Sequence, residues 1–201
     1  MLYLVQRGDA MVNYPNKKVN FTKAKIGHQN RGMNFEAMIN ETNEFYLANN
    51  VAIIHKKPIP IQIVKVDYPS RSGAVIKEAY YKVPSTTDYN GIYKGHYIDF
   101  EAKETQNKTS FPLSNIHAHQ IEHLQSIKDH GGISFVLLYF KVLDEIYLLD
   151  SNDLVSYHNR SEKGRKSITI EEIRKNGYQV LESYAPRVDY LKIVDVLISK
   201  K

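Results

Sequence analysis

From Asn34 to Leu47, the positions Phe35, Met38, Ile39, Thr42, Phe45 and Tyr46 return every three to four residues. That spacing gathers them on one face and predicts an amphipathic helix. Val51 to Lys57 then reads as a strand, interrupted by Pro58 and Pro60. Beyond them, Ile61–Tyr68 and Ala74–Val83 are β-rich stretches flanking Pro69-Ser70-Arg71-Ser72-Gly73, which predicts a hairpin with a charged tip.

Tyr97 to Lys103 alternates strictly: Ile98, Phe100 and Ala102 fall on one side, and Tyr97, Asp99, Glu101 and Lys103 on the other. This is the pattern of a half-buried strand. Ser114 is placed to cap a following helix carrying Ile116, Ile121, Leu124 and Ile127, which ends at Gly131-Gly132. Ile133 to Phe140 is an almost unbroken apolar run of strand length, suited to the covered centre of a sheet, and Glu145 to Leu149 predicts one strand more. The last fifty or so residues carry two or three short helical patterns, including Ile170–Lys175 before Gly177 and Tyr190–Ile198. Helices interleaved with strands in one chain predict an α/β fold, a mixed central sheet flanked by helices.

Composition narrows the picture. A chain of 201 residues, 42% of them hydrophobic, can build one well-buried core and is short for two large domains. It contains no cysteine, which excludes disulfides and cysteine-held zinc and suits a reducing, cytoplasmic setting. No apolar run approaches the roughly 20 residues of a spanning helix, so no membrane role is expected. The formal net charge of +5 favours a polyanionic partner. Between Asp9 and Glu36 there is no acid, while Lys17, Lys18, Lys23, Lys25 and Arg31 all fall there. Residues 1–30 therefore read as a flexible basic arm and 31–201 as the folded domain.

The candidate chemistry lies on the alternating strand. Glu101 and Lys103 leave the same face, two residues apart. Were the chain to fold back at Asn90-Gly91, Asp88 would stand opposite Glu101. Two carboxylates and an ammonium suit Mg²⁺, which takes hard oxygen ligands, commonly one or two carboxylates with substrate phosphate. An acid followed by Glu-x-Lys also arises by chance on wet strand faces, so the pattern alone leaves both readings open. His117, His119 and His123 raise the question of zinc, but only His119 and His123 have the spacing of one helix face and no third ligand is apparent.

The stretches Asn30-Arg31-Gly32-Met33, Ile54-His55-Lys56-Lys57-Pro58, Ser85-Thr86-Thr87-Asp88-Tyr89 and Tyr97-Ile98-Asp99-Phe100-Glu101-Ala102-Lys103-Glu104-Thr105 resemble those of the RecU family of Holliday junction resolvases from Gram-positive bacteria. The likeness runs from about Met11 to the C-terminus and leaves Met1–Ala10 as an extension. It implies a restriction-endonuclease-like PD-(D/E)xK nuclease fold, a homodimer, and paired symmetric nicking of four-way DNA junctions in recombination and repair, dependent on Mg²⁺ with Mn²⁺ as a substitute. By the same resemblance Thr86, Asp88, Glu101 and Gln120 hold the metal, Lys103 stabilises the transition state, and Glu36 takes the place of a further acid. It also implies a stalk at about residues 58–83, a nucleoid-associated protein, and a recombinase and a branch-migration helicase as further partners.

The residue chemistry of that segment agrees with contact to DNA. Lys56, Lys57, Lys65, Arg71 and Lys77, with Tyr68, Tyr80 and Tyr81 interleaved, could meet phosphates and stack on bases, and Arg31 and the arm would add salt-sensitive affinity. Two other readings stand beside the resolvase: a non-catalytic junction-binding and strand-annealing modulator of a recombinase, and a restriction-type duplex endonuclease.

Overall fold

The computed structural model describes residues 34–70, 73–82 and 86–200. The basic arm, Arg31 and Arg71 lie outside the described residues.

Ten strands and five helices are described, six of the strands forming one mixed sheet. Helix α1 (Phe35–Ala48) starts at Asn34, whose side chain accepts from the Ala37 N–H at 2.8 Å. Strand β1 (Ile53–Lys56) follows, then β2 (Ile61–Ser70) and β3 (Gly73–Tyr81), which pair only with each other. Next come β4 (Tyr89–Tyr93), β5 (His96–Thr105), the short β6 (Ser110–Pro112) and α2 (Ala118–Asp129). The chain continues through β7 (Ile133–Phe140), β8 (Glu145–Asp150), α3 (Ser151–Ser161), β9 (Ser167–Thr169), α4 (Ile170–Asn176), β10 (Tyr178–Val180) and α5 (Leu191–Ser199). The sheet runs β1-β4-β5-β7-β8-β10, antiparallel throughout except at the parallel pair β5–β7. A parallel pair needs a long crossover, and here α2 provides it.

Both faces of the sheet are covered. Phe135, Leu137 and Tyr139 of β7 join a core with α1 and α5, while Val136, Leu138 and Phe140 join a second with α2, α3 and α4. This double coverage is why β7 is apolar without alternation. In the first core, Phe100 lies fully buried between Tyr89 and Phe135, with ring centroids 4.9 and 4.8 Å away.

Four expectations need correction. Asn90 and Gly91 do not turn the chain: they lie inside β4, and the reversal is made at Lys94 and Gly95, whose φ angles of 48° and 78° suit a two-residue hairpin. Gly91 has another reason to be glycine, since a Cβ there would lie 2.0 Å from the Ile53 carbonyl oxygen of β1. Ser114 does not cap α2. It sits in a 3-10 turn, and the helix begins at His117, whose N–H is accepted by the Gln120 side chain at 3.0 Å. Strand β5 is not half-buried, because Asp99 and Glu101 are covered as completely as Ile98 and Phe100. The tip of the β2–β3 ribbon is also shorter than expected, the strands running to Ser70 and from Gly73.

The ribbon contrasts with the rest. Nearly every residue of β2 and β3 is exposed, including Ile63, Val64, Tyr68, Tyr80 and Tyr81, and neither core includes any of them. Its base is closed by the Lys82 N–H donating to the Pro60 carbonyl at 2.9 Å. No helix among the described residues is long and apolar enough to cross a membrane.

Candidate active site

The β4–β5 register, with Tyr89 opposite Phe100, carries Asp88 to the level of Glu101. The Asp88 N–H donates to Glu101 Oε2 at 3.2 Å. Asp88 thus reaches the place expected of it, by the turn at Lys94-Gly95 rather than the one read from Asn90-Gly91. The segment is held from the other side by the Lys57 N–H, which donates to the Asp88 carbonyl at 2.7 Å.

Glu101 points from β5 toward α2, on the sheet face opposite the Phe100 stack. From α2, Gln120 donates its Nε2 to Glu101 Oε2 at 2.8 Å. The same amide accepts the His117 N–H through its oxygen, so its nitrogen faces the carboxylate. Lys103, the next residue on that side of β5, brings Nζ to 2.7 Å from Glu101 Oε1 and keeps its side chain 25% exposed. Charge and distance make this an ion pair, yet Oε1 is buried and receives no hydrogen bond of suitable angle.

Burial pushes the Glu101 carboxyl up to about 8, Asp88 alongside pushes it the same way, and Lys103 draws it down. Burial outweighs the Lys103 charge here. Thr86, partly buried, stands two residues before Asp88, and its hydroxyl donates to the Thr87 carbonyl at 3.5 Å. Asp88, Glu101 and Gln120 are thus joined by hydrogen bonds, with Lys103 beside Glu101 and Thr86 at the segment's edge.

Glu36, in the first turn of α1, lines an open depression together with Lys103, Glu104, Ser114 and His117. Its carboxylate is paired with Lys56 Nζ at 2.5 Å. Lys57 turns inward, 19% exposed, and donates to Thr87 Oγ1 at 2.9 Å and Asp99 Oδ2 at 2.8 Å. Lys65, Lys77 and Tyr80 lie exposed on the ribbon, Lys77 3.8 Å from Asp67 and Tyr80 donating to Glu78 at 2.6 Å. The histidines divide: His117 and His119 stack on one another, and His123 faces Asp99. Among the described residues no group of three or more His, Asp or Glu is placed to hold a metal.

Asp99, Thr87 and Tyr97 also converge here, although the sequence pattern did not single them out as site residues. For Asp99 the signal was available, since it shares the β5 side of Glu101 and Lys103.

The profile of the family described as Recombination protein U matches residues 30–196. Over 196 aligned residues the chain is 54% identical to the Holliday junction resolvase RecU of Bacillus thuringiensis strain Al Hakam, covering 92% of this chain and 98% of the relative. The same identity and coverage hold for the proteins of that name from Bacillus cereus strain AH820 and Bacillus anthracis strain CDC 684 / NRRL 3495. By the extent of the profile and the near full-length identity, the chain belongs to the RecU family.

Proposed function

We propose that the chain is a Holliday junction resolvase, a divalent-metal-dependent endonuclease that makes paired symmetric nicks in four-way DNA junctions. The family and its curated relatives support the activity. The observation that carries the site is Glu101: a buried carboxyl facing Asp88 and paired with Lys103, its proton held up to about 8 chiefly by burial. A cation bound between the two carboxylates would favour its charged form. Mg²⁺ fits the donor set, because one or two carboxylates with neutral oxygens and water suffice for it, and Mn²⁺ fits by the same chemistry. Asp88 and Glu101 would hold it, with Thr86 as a neutral donor and Gln120 once its amide has turned its oxygen inward.

A bound divalent cation supplies an activated water and offsets charge on the scissile phosphate. The chain's own groups do the rest. Lys103 keeps a compact positive charge at the mouth of the site, placed to stabilise negative charge building on the phosphate and to orient the attacking water. Before a cation binds, Gln120 and the Asp88 N–H hold the Glu101 carboxylate in place. Glu36, paired with Lys56 beside the same depression, is a further acid within the site's surroundings.

The reading extends to a restriction-endonuclease-like fold, with the exposed β2–β3 ribbon as a stalk whose Lys65, Arg71, Lys77 and Tyr80 would meet junction DNA, joined by Lys56, Arg31 and the basic arm; Lys57, expected among them, is instead committed inward to Asp99 and Thr87. A homodimer follows from symmetry, because two-fold related sites match the opposed strands of a four-way junction. Asp88→Asn tests the assignment. It is expected to abolish nicking of a synthetic junction and to leave junction binding in a gel-shift assay intact; if binding went too, the role given to Asp88 would fail.

A further inference from the structure

Asp99 lies on β5 two residues before Glu101, on the same side, and its carboxylate is wholly buried. A carboxylate taken from water costs several kcal/mol unless it is paired and hydrogen-bonded. Here four side chains meet it. Lys57 Nζ lies at 2.8 Å, the Tyr97 hydroxyl at 2.9 Å and His123 Nε2 at 3.3 Å, and the Thr87 hydroxyl donates to Oδ1. Lys57 also donates to Thr87, closing a three-membered network. Being covered, Asp99 has no route to a DNA phosphate.

The partners share one property. Each lies in a segment that carries part of the candidate metal site or is hydrogen-bonded to one. Thr87 sits between Thr86 and Asp88, in a segment that belongs to neither the ribbon nor β4. Lys57 holds the Asp88 carbonyl through its own N–H. His123 lies one turn beyond Gln120 on α2. Asp99 itself is anchored in the strand of Glu101.

We propose that Asp99 is a positioning residue: through Thr87, Lys57 and His123 it locks the Thr86–Asp88 segment and α2 against β5, so that the donors on three separate elements face one point. The proposal rests on the reading of Thr86, Asp88, Glu101 and Gln120 as metal donors. Without this hub the 86–88 segment would rest on its hydrogen bonds with Lys57 and Glu101 alone among the described residues, and the donors would have to be ordered at the expense of cation affinity.

The test uses the full chain. Mn²⁺ binding is measured by calorimetry without DNA, junction nicking is followed across a Mg²⁺ titration, and melting curves are taken in EDTA. Thr87→Val keeps shape and leaves Asp99 its other three partners; Asp99→Asn removes the hub charge. Both are expected to weaken Mn²⁺ binding by about 10–100-fold and to raise the Mg²⁺ needed for half-maximal nicking by a similar factor, as loss of groups that orient metal ligands does. Nicking recovers toward wild type at saturating Mg²⁺, and Thr87→Ser restores both readouts. Should Asp99→Asn fail to fold, Thr87→Val still decides. A folded Thr87→Val protein with wild-type Mn²⁺ affinity and Mg²⁺ dependence would overturn the positioning role while leaving the metal site standing. A folded wild-type protein that binds no Mn²⁺, indistinguishable from Asp88→Asn, would overturn the donor reading and the proposal with it.

Discussion

Glu101 is a carboxyl buried away from solvent, and its raised proton affinity bears on how the metal-free protein responds to pH. The folded chain holds this proton up to about 8, against 4.5 for a free glutamate. Folding therefore gains from the protonated form: the contribution is fully present below about pH 4.5 and is lost as pH rises through about 8. Melting curves in EDTA between about pH 5 and 9 should show wild type losing more stability on the alkaline side than Glu101→Gln, which has no such proton to lose. Equal slopes for the two proteins would contradict the raised carboxyl. A cation needs the charged form, so binding below about pH 8 releases a proton and tightens as pH rises to that point. Calorimetry in buffers of different ionisation heat reads that release. At this scale the sequence told much through one strand: the period of two put Asp99, Glu101 and Lys103 on one side. A period says which side a residue faces and not whether that side is covered. Hence a strand read as half-wet carries two fully buried carboxylates.

The elements read well where their apolar period was strong. Helix α1, strand β7 and helix α5 lie within a residue or two of their expected bounds, because each buries a continuous stripe or run. Helix α3 was not singled out, since Ser151–Ser161 is mostly polar and buries only Ser151, Leu154 and Tyr157. The three-residue strands β6, β9 and β10 are too short to show any period. Thr86 and Gln120 left no periodic signal either; they came through family resemblance, because a donor's role depends on elements meeting in space. Gly91 shows the same limit. Asn-Gly is a strong turn signal, but here the missing side chain serves the close approach of β1. Gly91→Ala would drive a Cβ into the Ile53 carbonyl and the Ile54 Cα, 2.0 and 2.6 Å away, in rigid sheet backbone. A destabilisation of about 1–3 kcal/mol in denaturant unfolding is expected, as for other overpacked sites; an unchanged midpoint would contradict the packing of β1 on β4.

For the molecule as a whole, two features are proposed to serve DNA binding: the exposed β2–β3 ribbon and the excess of basic over acidic residues, 27 against 22. Because the ribbon joins neither core, a chain with residues 61–81 replaced by a short Gly-Ser loop is expected to melt close to wild type and to lose preference for junction over duplex. A large drop in melting temperature would show that the ribbon supports the fold. Trimming residues 1–30 should weaken junction binding and flatten its dependence on salt, since a protein that neutralises fewer phosphates releases fewer counterions; binding and salt slope unchanged would remove the arm from the DNA interface. As a metal-dependent resolvase, the chain would use Lys103 as its charge-stabilising group. The most direct measurement is cleavage of a labelled synthetic four-way junction beside a linear duplex of the same sequence, with Mg²⁺ or with EDTA, by wild type and Lys103→Ala. Paired nicks in opposed strands of the junction alone are expected, absent with EDTA and reduced by about 100-fold or more in the variant, whereas tight junction binding without metal-dependent nicking would contradict the resolvase reading.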